Sequence, residues 1–192
     1  MARIPALLLV ALAACSPRHE AGRVSIKDDW DRTVALAAPA RRVVSLSPAS
    51  TEILFAIGAG PRLVGRTRYD DWPAAAKAVP VVGEGIGPNV EAVAARRPDL
   101  VVLYASAANR AALSGLTALG IPVAVLKLDV ASDVVRAARR LGALTGTADA
   151  ADSLVAAFGD SLRAVEARDA RAPARRPRLY VDVWADPPMT VG

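Results

Sequence analysis

Between Arg42 and Leu126 the chain alternates short apolar runs with stretches punctuated as helices, a rhythm that few architectures accommodate. The runs at 43–46, 63–65, 80–82, 100–104 and 123–126 are rich in β-branched residues and bounded by Gly or Pro. Runs of this length without polar alternation predict parallel strands buried on both faces. Between them, 48–57, 90–97 and 107–119 carry helix signals. Ser47 stands where an N-cap belongs with Pro48 at the first helical position, Asn89 caps the second stretch, and Gly58 and Gly120 stand just past two ends. Strand–helix alternation of this kind predicts an α/β domain with a parallel sheet and right-handed crossovers.

The flanks read differently. Residues 24–26 and 33–36 bracket the polar turn Asp28-Asp29-Trp30-Asp31-Arg32 and predict a β-hairpin. Ser132 is placed to cap an amphipathic helix over 133–144 that stops at Thr145-Gly146. A second helix is expected over 148–170, with Ala151, Leu154, Val155, Phe158, Leu162 and Val165 on one stripe. About 23 helical residues extend about 34 Å, which suits a strut better than a crossover. Residues 171–178, with two prolines and four arginines, read as a linker. A new strand over 179–184, without a visible partner, and a turn at Asp186-Pro187-Pro188 then look like the opening of a second domain.

The first residues read as an address. Residues 1–14 combine Arg3, an apolar run from Ile4 and a small-residue ending, which is the anatomy of a signal peptide. The apolar run is short for a membrane span. Leu12-Ala13-Ala14-Cys15 resembles the lipobox of bacterial lipoproteins, which makes Cys15, the chain's only cysteine, the expected lipid attachment point. Residues 15–22 would then be a polar tether carrying the single His19, and the mature chain would be anchored to a membrane outside the cytoplasm.

Composition removes several functions. One Cys leaves no intrachain disulfide framework, and one His, in the tether, argues against a His-rich metal site or a Ser–His–Asp hydrolase. No G-x-S-x-G elbow is present, and GAGPRLVG at 58–65 lacks the Lys-Ser/Thr ending of a phosphate loop. A hydrolase using carboxylates alone, with Asp70 and Asp71 near Ser47, stays open but without positive support. The net charge of +5 invites a nucleic-acid reading. The clusters Arg136/Arg139/Arg140 and Arg171/Arg175/Arg176/Arg178 lack interleaved aromatics, however, and are expected to be solvated faces, so no nucleic-acid partner is expected.

Three stretches carry a family resemblance: RVVSLSPASTEILFAIGAGPRLVGRTRYDDWP at 42–73, VPVVGEGIGPNVEAVAARRPDLVVLY at 79–104, and RPRLYVDVWADPPMTVG at 176–192. Together they resemble the periplasmic substrate-binding proteins of ABC importers for vitamin B12, iron-siderophores and haem. In that family two α/β lobes are joined by one long helix and the ligand binds between them. The resemblance divides the chain into a signal peptide (1–14), a tether (15–22), an N-terminal ligand-binding lobe (23–131), a helical backbone (132–170), and a linker with the start of a C-terminal lobe (171–192).

The resemblance implies a lipid-anchored receptor, not an enzyme, that captures a cobalamin or similar metal chelate and hands it to an ABC permease. An iron-siderophore or haem ligand is the alternative, and no resident cofactor or metal is expected. Tyr69 and Tyr104 match positions that touch the corrin in B12-binding members. Gly85 stands where such a member can carry a tryptophan, a departure that leaves room for another chelate. Trp72 and Trp184 are further cleft candidates. Ser47, expected mainly as a cap, opens a helix whose free N–H groups could receive an anionic group. Glu91, in PNVEAV, matches a glutamate that docks into arginines of the permease, and it would also stabilise its own helix start. The second wall of such a cleft would lie beyond Gly192. A longer protein, a shortened receptor that does not work and a half-receptor completed by another chain all fit the sequence.

Overall fold

The structure, a computed structural model, describes residues 22–170 and the backbone of two short strands at 182–185 and 188–190. Strands β1 (Val24–Lys27) and β2 (Thr33–Leu36) form the expected antiparallel hairpin. The parallel sheet consists of β3 (Val43–Leu46), β4 (Leu63–Thr67), β5 (Val81–Gly83), β6 (Leu100–Tyr104) and β7 (Val123–Leu126), in the spatial order β5-β4-β3-β6-β7. Five helices accompany them among the described residues: α1 (Pro48–Ala56), α2 (Val90–Ala94), α3 (Arg110–Ala118), α4 (Ala131–Thr145) and α5 (Ala148–Asp169).

The strand pleat explains the uniformly apolar runs. Val43, Leu100, Val102, Ala124 and Leu126 face one layer, where they pack with Ile53 and Leu54 of α1 and with Ala138 and Leu141 of α4. Val44, Leu46, Val101, Leu103, Val123 and Val125 face the other, against Val93 of α2 and Leu116 of α3. Every second residue of a strand serves one face. A sheet covered on both sides therefore needs apolar residues at nearly every position, and the result is a three-layer α/β/α sandwich.

Helix ends follow their caps with four corrections. Ser47 occupies the N-cap of α1, but its side chain makes no capping bond; its carbonyl accepts the Thr51 N–H instead. α2 stops at Ala94 rather than 97, because the chain turns at Arg97 (φ 49°) while the Arg42 guanidinium takes up the carbonyls of Arg96 and Arg97. Residues 107–109 form a 3₁₀ turn before α3, since the side chain of Asn109 is engaged elsewhere. Ser132 is not the cap of α4; Val130 holds that position, and Asp133 accepts the N–H groups of Asp129 (3.0 Å) and Val130 (3.3 Å). Gly58, Gly120 and Gly146 all take positive φ at helix ends, where a side chain would be strained.

Asp28, at the start of the hairpin's polar turn, is buried, whereas Asp31 at its tip is exposed. Asp28 accepts the N–H groups of Trp30, Arg32 and Val125, and Asp29 accepts that of Lys127, so the turn binds along the outer edge of β7. The arginines of α4, expected as a solvated face, are corrected by it. Arg136 and Arg140 both reach Asp29, at 2.9 and 2.5 Å, and Arg136 also binds Asp133 at 2.6 Å. They form an ionic clasp between α4 and the hairpin, not a solvated face. Arg139 is the exposed member, paired with Asp152. Arg171, Arg175, Arg176 and Arg178 lie outside the described residues, as do the segment 1–14, Cys15 and the tether.

α5 spans 22 residues, about 33 Å at 1.5 Å per residue. Ala151 is buried against Gly142 of α4, where the two helices nearly touch. Leu154, Val155 and Phe158 are half-buried, whereas Leu162 and Val165 are exposed, so the helix leaves the surface of the lobe along its length. Beyond it, β8 (Asp182–Ala185) pairs antiparallel with β9 (Pro188–Thr190). The strand expected over 179–184 thus has a partner, and the expected turn at Asp186-Pro187-Pro188 begins outside the described residues.

Candidate ligand-binding site

The sheet order changes direction at its centre. β4 and β5 lie to one side of β3, and β6 and β7 to the other, so the crossovers diverge beyond the carboxyl ends of β3 and β6. Open α/β sheets place ligands at such a point. A cavity of about 480 Å³ opens there. Leu46 ends β3 and Ser47 and Pro48 follow it, Thr67 ends β4 and Tyr69 follows it, Glu84, Gly85 and Ile86 follow β5, and Tyr104 ends β6.

The structure therefore brings together Tyr69, Tyr104 and Ser47 of the residues singled out from sequence. Tyr69 is 61% exposed, with its ring 6.0 Å from the Arg68 guanidinium. Arg68 in turn pairs with Glu84 at 2.6 Å, which links the β4 and β5 loops across the mouth. Tyr104 is half-buried, and its phenol donates to Asp129 at 2.6 Å. That bond, its partial burial and the negative charges of Asp129 and Asp133 push the Tyr104 phenol above its ordinary ionisation range. Gly85 lies on the cavity floor, where an added Cβ would come within 2.9 Å of the Leu46 carbonyl oxygen. The bare backbone keeps the floor low.

Trp72 does not join them. It is 68% exposed and lines a separate hollow of about 440 Å³ with Phe55, Pro73, Val134 and Leu154. Trp184 stands in β8, and its side chain is outside the described residues. Glu91 is exposed in the first turn of α2 and makes no ion pair among the described residues.

Two buried side chains shape the cavity: Asp70, which the sequence offered only to a carboxylate hydrolase, and Asn109, which it did not single out. The Asp70 carboxyl is fully buried and accepts from the Thr51 hydroxyl (2.7 Å), the Thr67 N–H (3.1 Å) and the Thr67 hydroxyl. The Thr67 hydroxyl accepts the N–H of Tyr69 at 3.2 Å, so Asp70 anchors the loop that presents Tyr69. Asn109, also fully buried, donates to the carbonyls of Gly85 (3.1 Å) and Tyr104 (3.0 Å) and accepts the Gly87 N–H (2.9 Å). It ties the floor loop to the end of β6. The spacing Thr67-x-x-Asp70 is a local turn signal legible in sequence. The partners Thr51, Gly85 and Gly87 are not local, and no sequence pattern announces them.

No group of three or more His, Cys, Asp or Glu side chains that could hold a metal ion occurs among the described residues. The cavity offers two aromatic faces, apolar walls and a few fixed polar groups. Such a surface binds a flat, largely apolar ligand and orients it at its edges.

Residues 43–188 match the model of the periplasmic binding protein family. The chain belongs to that family. A vitamin B12-binding protein of Yersinia pestis (strain Pestoides F) is 41% identical over 87 residues, which are 45% of this chain and 31% of that protein. The crystal structure of the periplasmic vitamin B12-binding protein BtuF of Vibrio cholerae superposes with a TM-score of 0.71 at 23% identity, covering 80% of this chain and 59% of that one. The periplasmic haem-binding protein BhuT, in complex with two haems, gives a TM-score of 0.66 at 28% identity over 72% of this chain and 55% of that one. This periplasmic binding protein thus matches less than a third of the length of the B12-binding relative and somewhat over half of each solved structure. The family and these neighbours are binding proteins, not enzymes, so the hydrolase alternative falls away. Membership implies an extracytoplasmic location. No helix among the described residues is long and apolar enough to cross a membrane.

Proposed function

We propose that this periplasmic binding protein is the receptor component of an ABC importer and captures a planar metal chelate, cobalamin first, against the cavity between Tyr69 and Tyr104. The observation that carries this reading is the position of that cavity, at the divergence of the crossovers and flanked by two aromatic faces. The B12-binding relative supports cobalamin. Haem or an iron-siderophore is the second reading, favoured by the likeness to BhuT and by the bare floor at Gly85. In either case the lobe supplies one wall, and a second lobe following α5 supplies the other.

Delivery follows from the surface. Glu91 projects a single carboxylate from the start of α2, suited to meet a basic pocket on the permease and to set register during encounter. Cys15, diacylated, would hold the chain at the membrane where the permease lies. Residues 23–131 act as the ligand-binding lobe, and 132–170 as the link to the second.

The test is a titration followed by tryptophan fluorescence, with cyanocobalamin, haemin and a ferric siderophore as separate probes. One probe gives saturable quenching. Tyr69→Ala and Tyr104→Ala each weaken it by about tenfold, the loss of one stacked aromatic contact of about 1.4 kcal/mol. Silence with all three probes, or an affinity unchanged from the unmodified chain in both variants, would remove the basis of the reading.

A further inference from the structure

Tyr69 and Tyr104 frame one cavity, yet their phenols are not equivalent. Among the described residues that line that cavity, the two phenol oxygens are the neutral side-chain groups most able to become ligands of a ferric ion. A phenol ligates iron as its anion, as tyrosine does in catalase-type haem sites. The proton of Tyr104 is already committed: its hydroxyl donates to Asp129 Oδ1 at 2.6 Å. The phenolate of Tyr104 would leave two negative charges at that separation.

Asp129 is not a loose surface group. Its N–H donates to Asp133 Oδ2 at 3.0 Å, and its own Oδ2 lies 3.7 Å from the Lys127 ammonium. Asp133 is bound to Arg136, Arg136 to Asp29, and Asp29 accepts the N–H of Lys127 at 2.6 Å. The loop from Lys127 to Val130 is therefore clasped from both sides, by the hairpin turn and by α4. The clasp identified in the fold thus ends at the cavity, on the hydroxyl of Tyr104.

Resting on the receptor reading above, we infer that Asp129 is a positioning and specificity-determining residue: it holds Tyr104 as a protonated aromatic wall and denies its oxygen to a ferric ion. The raised ionisation range of Tyr104 agrees with this. The site then favours chelates whose metal is already fully ligated, such as a corrinoid or a hexadentate ferric siderophore. It disfavours ferric haem bound through Tyr104. Tyr69, which has no such carboxylate partner among the described residues, stays available to the edge of the ligand.

The experiment uses the full chain carrying Tyr69→Phe, so that Tyr104 is the phenol under test, with and without Asp129→Ala. In the absence of ligand, spectrophotometric titration should show one tyrosine ionising at lower pH when Asp129 is removed. With haemin, the ferric–phenolate charge-transfer band should be absent in the parent and present in the Asp129→Ala variant. It should vanish again when Tyr104→Phe is added. Asp129→Asn, which keeps an acceptor oxygen without the charge, should fall between the two. An unchanged tyrosine titration, or a charge-transfer band already present with Asp129 intact, overturns the inference. If haemin, cyanocobalamin and the ferric siderophore all fail to bind the unmodified chain, the receptor reading fails instead, and the ligand-free titration still decides the role of Asp129.

Discussion

Asp70 offers the sharpest test of how the cavity is built. Its side chain is fully buried and is the common acceptor for the Thr51 hydroxyl, the Thr67 N–H and the Thr67 hydroxyl. Replacing it with Ala deletes three hydrogen bonds and strands three donors in a place that water reaches poorly. At about 1–1.5 kcal/mol for each bond, Asp70→Ala should cost about 3–4 kcal/mol. For a chain of this size a urea m-value of about 2 kcal/mol/M turns that into a midpoint lower by about 1.5–2 M, with m unchanged. Asp70→Asn keeps one acceptor oxygen and turns an NH₂ toward a donor, so it should lie between the two. The loop should loosen before the sheet does, because Tyr69 reaches the carboxyl only through the Thr67 hydroxyl. The assay is equilibrium urea unfolding by circular dichroism, paired with hydrogen exchange at the N–H of Tyr69. A midpoint within about 0.5 M of the wild type, about 1 kcal/mol at that m-value, would refute the reasoning. The loop would then be held by its exposed contacts, chiefly the Arg68–Glu84 pair, rather than by the buried carboxyl.

Two further outcomes follow from the helices. Gly142→Ala adds a Cβ that would stand 2.5 Å from that of Ala151, so α4 and α5 must move apart. The overpacking cost of about 1–3 kcal/mol exceeds the gain in helix propensity of about 0.5–1 kcal/mol, and a lower urea midpoint is expected. The double variant with Ala151→Gly should recover part of it, and strict additivity of the two changes would disprove the contact. Burial opposes ionisation of Asp29, but the Lys127 N–H and the guanidiniums of Arg140 and Arg136 outweigh it and hold its carboxyl below the usual range. A lowered folded value means that the folded state binds fewer protons. The contribution of Asp29 is therefore complete above about pH 4 and lost as pH falls through the folded value, a direction Asp133 shares. Asp29→Asn should lower stability at pH 7 and flatten the acid limb of an unfolding-versus-pH curve; an unchanged acid limb would contradict the clasp.

The fold class was legible because a sheet covered on both faces leaves an unmistakable record. The runs 43–46, 100–104 and 123–126 coincide with β3, β6 and β7 to the residue, since each had to be apolar on both faces of the pleat. Helix starts were less legible. Ser47 and Ser132 are good caps by type, yet α1 is opened by backbone alone and α4 by Asp133, because a cap depends on where the chain comes from as much as on the residue. The arginines of α4 read as solvated when taken alone, and the polar turn 28–32 read only as the bend of a hairpin. They neutralise one another only after α4 and the hairpin meet over the edge of β7.

The same division runs through the site. Sequence placed Tyr69 and Tyr104 at the ends of parallel strands, where local chemistry and the direction of the chain suffice to predict exposure. It could not place Trp72 apart from them, since a loop two residues longer than a turn can aim a side chain either way. Local periodicity determined the elements, their order and their apolar faces, because each residue answers to its neighbours in the chain. The strand order β5-β4-β3-β6-β7, the clasp at Asp29, the anchors Asp70 and Asn109 and the bond from Tyr104 to Asp129 were decided by tertiary structure alone. Each joins groups well separated in the chain, and such a pairing exists only once the fold has brought them together.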